Sequence, residues 1–291
     1  MFKLGIVIAR STATRQSISS VSMPSSKIAF IGAGNLASAI VRGLLTKKVC
    51  APADLVCTSQ TGTTAQKLAT DTGITFESDL AKLLASADPV VIAFKPQSLA
   101  SADPRLAELT AGKLVLSVLA GKKLARLAQT FPKARNLVRT MPNTPAAIGA
   151  GMTCYCAQSP LAPADRAIVE KLLGALGQFL ELGEEHMDVV TTLVGSTPAF
   201  LFEFVAALRD GGVAAGLPRA TAQKLARESV LGSAKLLAHT GGEPEALRDK
   251  VVSPNGTTFA GLQVMAARQF RETIKETILA GTRRAGELSR D

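Results

Sequence analysis

The stretch KIAFIGAGNLASAI, residues 27–40, leaves little choice of fold. An apolar run meets Gly32, Gly34 and Ala37 at the spacing GxGxxA, and a helical pattern begins inside that spacing. Each small residue has a task at a strand-to-helix junction. Gly32 permits a tight turn, Gly34 lets the backbone approach a pyrophosphate, and Ala37 lets the helix lie close on the strand. The helix N-terminus then offers free N–H groups and the positive end of its dipole to phosphates. Such a string is weak evidence alone, but at the first junction of an alternating pattern it points to a bound dinucleotide.

That alternation continues downstream. Short β-rich runs are expected over 27–31, 54–58, 89–94, 113–118, 135–141 and 151–157, with helices at about 36–47, 63–72, 79–86 and 121–130, as in parallel sheets with crossover helices. After Pro163 only QFLEL (178–182) reads as a strand. Helices are expected over 163–176, 187–215 with a break near Pro198, 219–239, 244–250 and 257–288. The expected fold class is therefore α/β, with a Rossmann-like dinucleotide-binding domain over 27–162 and an all-α domain over 163–291. SPLAP marks the change between them.

Composition narrows the partners. The net charge is +10, but Lys3, Arg10, Arg15, Lys27, Arg42, Lys47 and Lys48 all precede the first acid, Asp54, and the remainder is nearly balanced. With one Tyr and no Trp, an aromatic platform for single-stranded nucleic acid is not expected. Cys50, Cys57, Cys154 and Cys156 match neither a disulfide scaffold nor a metal site completed by His186 or His239, so a reducing compartment, the cytoplasm, is expected. Cys154 and Cys156 fall on one face of a strand, where they pack as small apolar side chains. The apolar run 189–202 is shorter than the ~20 residues a bilayer needs and reads as a buried helix at an interface. Residues 1–26 are basic, rich in Ser and Thr and free of acids. Three readings stand for them: an organelle transit peptide for mitochondrion or plastid, an over-called start upstream of Met23, or a disordered extension.

Cofactor choice is read at the end of the second strand. An NAD site usually carries a carboxylate there for the ribose 2′-hydroxyl. This chain has Thr58, Ser59, Gln60 and Thr61, which favours NADPH, with NADH the alternative. FKPQ (94–97) follows the third expected strand, where the chain crosses the carboxyl edge of the sheet.

Taken in order, FIGAGN, FKPQ, SVLAG (117–121), MPNTP (141–145), GSTPAF (195–200), DGGVAAGLPR (210–219) and VVSPNGTTF (251–259) resemble the pyrroline-5-carboxylate reductases over about residues 27–288. The resemblance implies a Rossmann-like domain and a helical domain that dimerises, with dimers assembling into rings in many members. It implies reduction of 1-pyrroline-5-carboxylate to L-proline with NADPH or NADH. It assigns cofactor contacts to Ile31, Gly32, Ala33, Gly34, Asn35 and Leu36, to Ala93, Phe94, Lys95 and Pro96, and to Val118, Leu119 and Ala120 on the nicotinamide side, with Ser59 near the adenosine ribose. Substrate contacts fall on Ser253, Asn255, Gly256, Thr257 and Thr258, close to the dimer interface. Asn255, Thr197 and Phe200 depart from the family pattern of Gly, Gly and Tyr.

A protonated cyclic imine is already electrophilic, so the site needs positioning rather than a strong acid or nucleophile. Backbone N–H groups of Gly256, Thr257 and Thr258, with the Ser253 hydroxyl, are expected to hold its carboxylate. Thr258 Oγ1 is expected to contact the ring nitrogen, making Thr258 and Ser253 the candidate catalytic pair. The same SPNGTT string also fits a plain helix cap after a Pro-Asn-Gly turn. Glu184 and Glu185 read as acids favouring a helix N-terminus, with a substrate-side role for one of them the alternative, and no metal site is expected. A β-hydroxyacid dehydrogenase is a competing reading, but its catalytic Lys has no counterpart between Gly195 and Leu208. A non-catalytic NADP-binding sensor is another.

Overall fold

The computed structural model describes residues 26–289. Apart from Ser26, the N-terminal segment with its three readings lies outside the described residues. Eight strands form one sheet: β1 (Lys27–Ile31), β2 (Leu55–Thr58), β3 (Thr75–Phe76), β4 (Ala87–Ile92), β5 (Leu114–Ser117), β6 (Asn136–Met141), β7 (Gly151–Ala157) and β8 (Gly177–Glu181). Their order is β3-β2-β1-β4-β5-β6-β7-β8, and every neighbouring pair is parallel except β6 with β7. β1 lies between β2 and β4, so the chain winds outward in both directions from it.

Helices α1 (Asn35–Thr46), α2 (Thr63–Thr72), α3 (Leu80–Ala85), α4 (Leu106–Leu109), α5 (Leu124–Thr130) and α6 (Pro163–Gly174) cover the sheet. Strand periodicity splits the core in two. Ile28 and Phe30 join Val41 and Leu44 of α1 and Val169 and Leu172 of α6 on one face. Ala29 and Ile31 join Leu83, Leu84 and Leu127 on the other. Because both faces are covered, the central strands are nearly continuous apolar runs, which is what made them visible in sequence.

α6 and β8 belong to this sheet layer. β8 pairs with β7 from Gly151↔Gly177 to Tyr155↔Glu181. The change of architecture expected at 162/163 therefore falls inside the sheet-bearing half, and we place the division near Gly183. SPLAP misled because Pro163 sits in the first turn of α6, where its missing N–H costs nothing, and so starts a helix on the sheet.

The helical half comprises α7 (Met187–Val190), α8 (Thr197–Ala214), α9 (Arg219–Thr240), α10 (Pro244–Val251), α11 (Thr257–Ala267) and α12 (Phe270–Leu288). The helix expected over 257–288 is two helices, because Gln269 adopts a left-handed backbone with φ 53. No break occurs at Pro198. A π-helical segment, Thr191–Ser196, instead carries α7 into α8, and Glu184–Ala214 runs as one helix of 31 residues. Proline has no N–H for the carbonyl four residues back, and a π turn absorbs the misfit. By length and composition alone this helix could cross a membrane. It is longer than the run 189–202 suggested and mostly exposed in the single chain, as a helix buried only at an interface would be.

At the opposite end of the sheet from the strand carboxyl ends, Arg135 clamps three elements. Its guanidinium donates to Asp88 of β4 at 2.9 Å, to Asp165 of α6 at 2.7 and 3.0 Å, and to the Gly112 carbonyl at 2.5 Å. Asp165 is buried. Arg135→Met, which strands that carboxylate, is expected to lower stability by about 2 kcal/mol. The double variant Arg135→Met/Asp165→Leu is expected to recover most of it. Urea unfolding at fixed protein concentration measures both.

Candidate active site

The crevice at a topological switch point, outside the strand carboxyl ends, is where open α/β sheets bind ligands. Here that point lies between β1 and β4. Backbone hydrogen bonds knit its loops together: Gly32 N donates to Thr58 O at 2.9 Å, Ala93 N to Ile31 O at 2.8 Å and Val118 N to Ile92 O at 3.1 Å. The three segments expected to hold the dinucleotide, 31–36, 93–96 and 118–120, therefore converge on one edge, and Ser59 follows directly from β2.

Gly32 and Gly34 do different work. Gly32 has φ 112, and a Cβ there would overlap the backbone of Ala93 and Phe94. Gly34 has φ −77 and ψ −171, a conformation open to any residue, and a Cβ there would meet nothing within 4 Å. Close packing thus requires the first glycine, while the second faces open space where a phosphate could approach. α1 begins at Asn35 with no side-chain cap, so its first-turn N–H groups face the same space. A dinucleotide fits these features: a bare helix N-terminus, a methyl-sized gap at Gly34 and an uncharged end to β2.

Side-chain directions sharpen the expected contacts. Ile31, Ala33 and Leu119 are buried in the core, so only their backbones can face the cleft. Asn35, Lys95 and Ala120 are exposed, whereas Leu36, Ala93, Phe94, Pro96, Val118 and Ser59 are half-buried. The Ser59 hydroxyl accepts from Ala65 N at 3.2 Å, tying it to the first turn of α2 and leaving its proton available to donate. Burial pushes the Cys57 and Cys156 thiols up to about 11, consistent with packing rather than chemistry.

The second expected set, Ser253, Asn255, Gly256, Thr257 and Thr258, forms the N-terminus of α11. Asn255 takes φ 58, a left-handed conformation that Asn tolerates in place of Gly. Gly256 N donates to Ser253 O at 3.0 Å, so this N–H is already engaged and Thr257 and Thr258 are the better donors for an anion. A Cβ on Gly256 would overlap the Ser253 hydroxyl, so the glycine keeps that hydroxyl over the helix end. Among the described residues, the backbone hydrogen bonds of this loop are internal to it and α11. Among the described residues no hydrogen bond joins this expected set to the dinucleotide cleft.

Two motifs proved to be a seam. Asn143 of MPNTP accepts from Met152 N at 3.0 Å and donates to Val194 O at 3.4 Å. Val194 is four residues before Pro198, so its carbonyl lacks the usual donor, and Asn143 supplies one. A Cβ on Gly195 would lie 2.5 Å from the Met141 methyl. Sequence reasoning also missed Arg139, buried on β6, whose Nη1 donates to Glu184 Oε1 at 3.0 Å. A charge inside the apolar run 135–141 was the available signal. Glu184 is therefore more than a dipole partner for its helix. Among the described residues, no group of three His, Cys, Asp or Glu side chains could share a metal ion.

Comparison with known proteins places these features. Residues 184–288 match the family model described as pyrroline-5-carboxylate reductase dimerisation, and residues 27–121 match one described as NADP oxidoreductase, coenzyme F420-dependent. A pyrroline-5-carboxylate reductase of Synechocystis sp. is 39% identical over 91% of this chain and 98% of its own length. That of Arabidopsis thaliana is 38% identical over 90% and 95%. The chain belongs to the pyrroline-5-carboxylate reductase family. The structure of a family member from Coxiella burnetii superposes with a TM-score of 0.86 at 30% identity, covering 91% of this chain and 99% of the other. A Plasmodium falciparum pyrroline carboxylate reductase, solved with NADP bound, gives 0.81 at 25% identity, covering 92% and 100%.

Family membership explains the exposed helical half. Residues 184–288 are the dimerisation domain, and Phe202, Leu225, Leu236 and Val264, all largely exposed in one chain, lie within it. The apolar helix Glu184–Ala214 lies wholly within the matched dimerisation region.

The two glycines give a sharp test. Gly34→Ala is expected to leave thermal stability unchanged while weakening NADPH binding about tenfold or more, which fluorescence titration reads. Gly32→Ala is expected to lower stability as well, since it forces the β1 and β4 termini apart.

Proposed function

We propose that this protein reduces 1-pyrroline-5-carboxylate to L-proline with NADPH, the last step of proline biosynthesis, and that the dimer is the working unit. The observation carrying this reading is the pair of half-sites in one family member: a switch-point cleft shaped for a dinucleotide and a charge-free α11 N-terminus suited to a small carboxylate. The first lies on the sheet and the second in the dimerisation domain, so association of two chains is the step that brings them face to face.

The chain's part in the reaction is to position. Thr257 and Thr258 N–H groups, at the positive end of α11, take the carboxylate with the Ser253 hydroxyl. Asn255 and Gly256 shape the turn that aims them. Thr258 Oγ1 contacts the ring nitrogen and relays a proton from water. Bound NADPH supplies the hydride. NADPH is preferred to NADH because Thr58, Ser59, Gln60 and Thr61 present no carboxylate to a 2′-phosphate. The described cysteines are all free, which suits a reducing cytoplasm.

NADPH oxidation that depends on added pyrroline-5-carboxylate tests the reading directly, and oxidation without that dependence would overturn it. Thr258→Ala is expected to lower kcat about 10- to 100-fold with little change in the KM for NADPH. Unchanged kcat and imine KM would remove Thr258 from the site. Asn255→Gly is expected to preserve activity, whereas Asn255→Val, β-branched at positive φ, is expected to raise the imine KM several-fold.

A further inference from the structure

We infer that Glu184, held in place by the buried Arg139, is a positioning residue that lets the helical domain set the nicotinamide side of the dinucleotide cleft. The inference rests on the reading that residues 118–120 line that side.

The β5–α5 loop is fixed at one end by the sheet, through Val118 N on Ile92 O at 3.1 Å. Its other end is Leu124, the first residue of α5. That helix has no side-chain cap of its own: its preceding residue is Lys123, and the Leu124 N–H donates instead to Glu184 Oε1 at 2.7 Å. Glu184 lies sixty residues on, where the dimerisation domain begins. The same Oε1 accepts from Arg139 Nη1 at 3.0 Å, and Arg139 Nη2 lies 3.9 Å from Asp188 of α7. Arg139 shares its face of β6 with Leu137 and Met141 and is 3% exposed. A guanidinium in such a setting requires carboxylate partners, so it fixes where Glu184 must sit.

The middle of the loop runs close to the same domain. Gly121 has φ 74, and a Cβ there would lie 3.5 Å from the Leu288 carbonyl at the end of α12. Ser289, just beyond, donates to the Gly286 carbonyl at 3.0 Å, and its hydroxyl lies 3.4 Å from Asp188 Oδ2 in the Arg139 cluster. The helical domain thus holds the loop by a hydrogen bond at Leu124 and passes close to it at Gly121. With Leu119 turned into the core, the loop meets the cofactor largely through its backbone, so a small shift of its anchor changes the contact directly.

Full-length dimeric protein carrying Glu184→Ala or Glu184→Gln tests this with two probes, NADPH and adenosine 2′,5′-bisphosphate, which lacks the nicotinamide half. Glu184→Ala is expected to weaken NADPH binding about tenfold while bisphosphate affinity stays within about twofold. Glu184→Gln keeps an acceptor for Leu124 N and is expected to lose about threefold for NADPH alone. Unchanged NADPH affinity, or an equal loss for both probes, overturns the inference. If the alanine variant does not fold, the glutamine variant decides by the same comparison. Wild-type protein that binds neither probe would overturn the dinucleotide site itself, a different result from wild-type binding that Glu184 does not affect.

Discussion

The structure depends on how closely β1 and β4 end together. A Cβ on Gly32 would occupy the space of the Ala93 and Phe94 backbone, and Ala93 N is hydrogen-bonded to Ile31 O. This approach brings the first and third loops into one cleft and aims the α1 N-terminus along it. It also opens the sheet in both directions from β1, giving every helix of the first half a covered face on which to pack.

The second half obeys a different constraint. Its helices bury little within one chain: Ala222 and Ala226 are the buried apolar residues of α9, while Leu225, Leu231 and Leu236 remain exposed. Such a surface suits burial against another chain, in keeping with the dimerisation domain that residues 184–288 match. The sheet-bearing half is complete in itself. Between them runs the seam of Asn143, Met141, Arg139 and Glu184, where polar groups choose a single relative placement that apolar contact alone would leave loose.

How much of this was legible follows from what each residue must satisfy locally. KIAFI and GMTCYCA match β1 and β7 because buried strands need unbroken apolar or β-branched runs. GxGxxA and SPNGTT were legible because tight turns permit few residue types. Three features were not. β3 is only Thr75–Phe76 and takes its identity from pairing with β2, so it has no periodicity of its own. The end of the sheet was misplaced because Pro163 can open a helix as well as close a domain. The break at Gln269 comes from a backbone state that Gln does not advertise. In the candidate site, the turn residues were visible individually, but Arg139 and Glu184 act through a contact that only the fold creates.

The π turn at Thr191–Ser196 has a consequence for how one rod serves two masters. An extra residue within a turn rotates everything downstream by about 100° about the axis relative to an uninterrupted α-helix. Met187 and Val190, upstream, are buried with the sheet core, while Leu201, Phe202 and Phe204, downstream, stand exposed in the single chain. The turn therefore works as a phase shifter: one continuous helix is buried against its own sheet before it and turns apolar side chains outward after it, with no linker between.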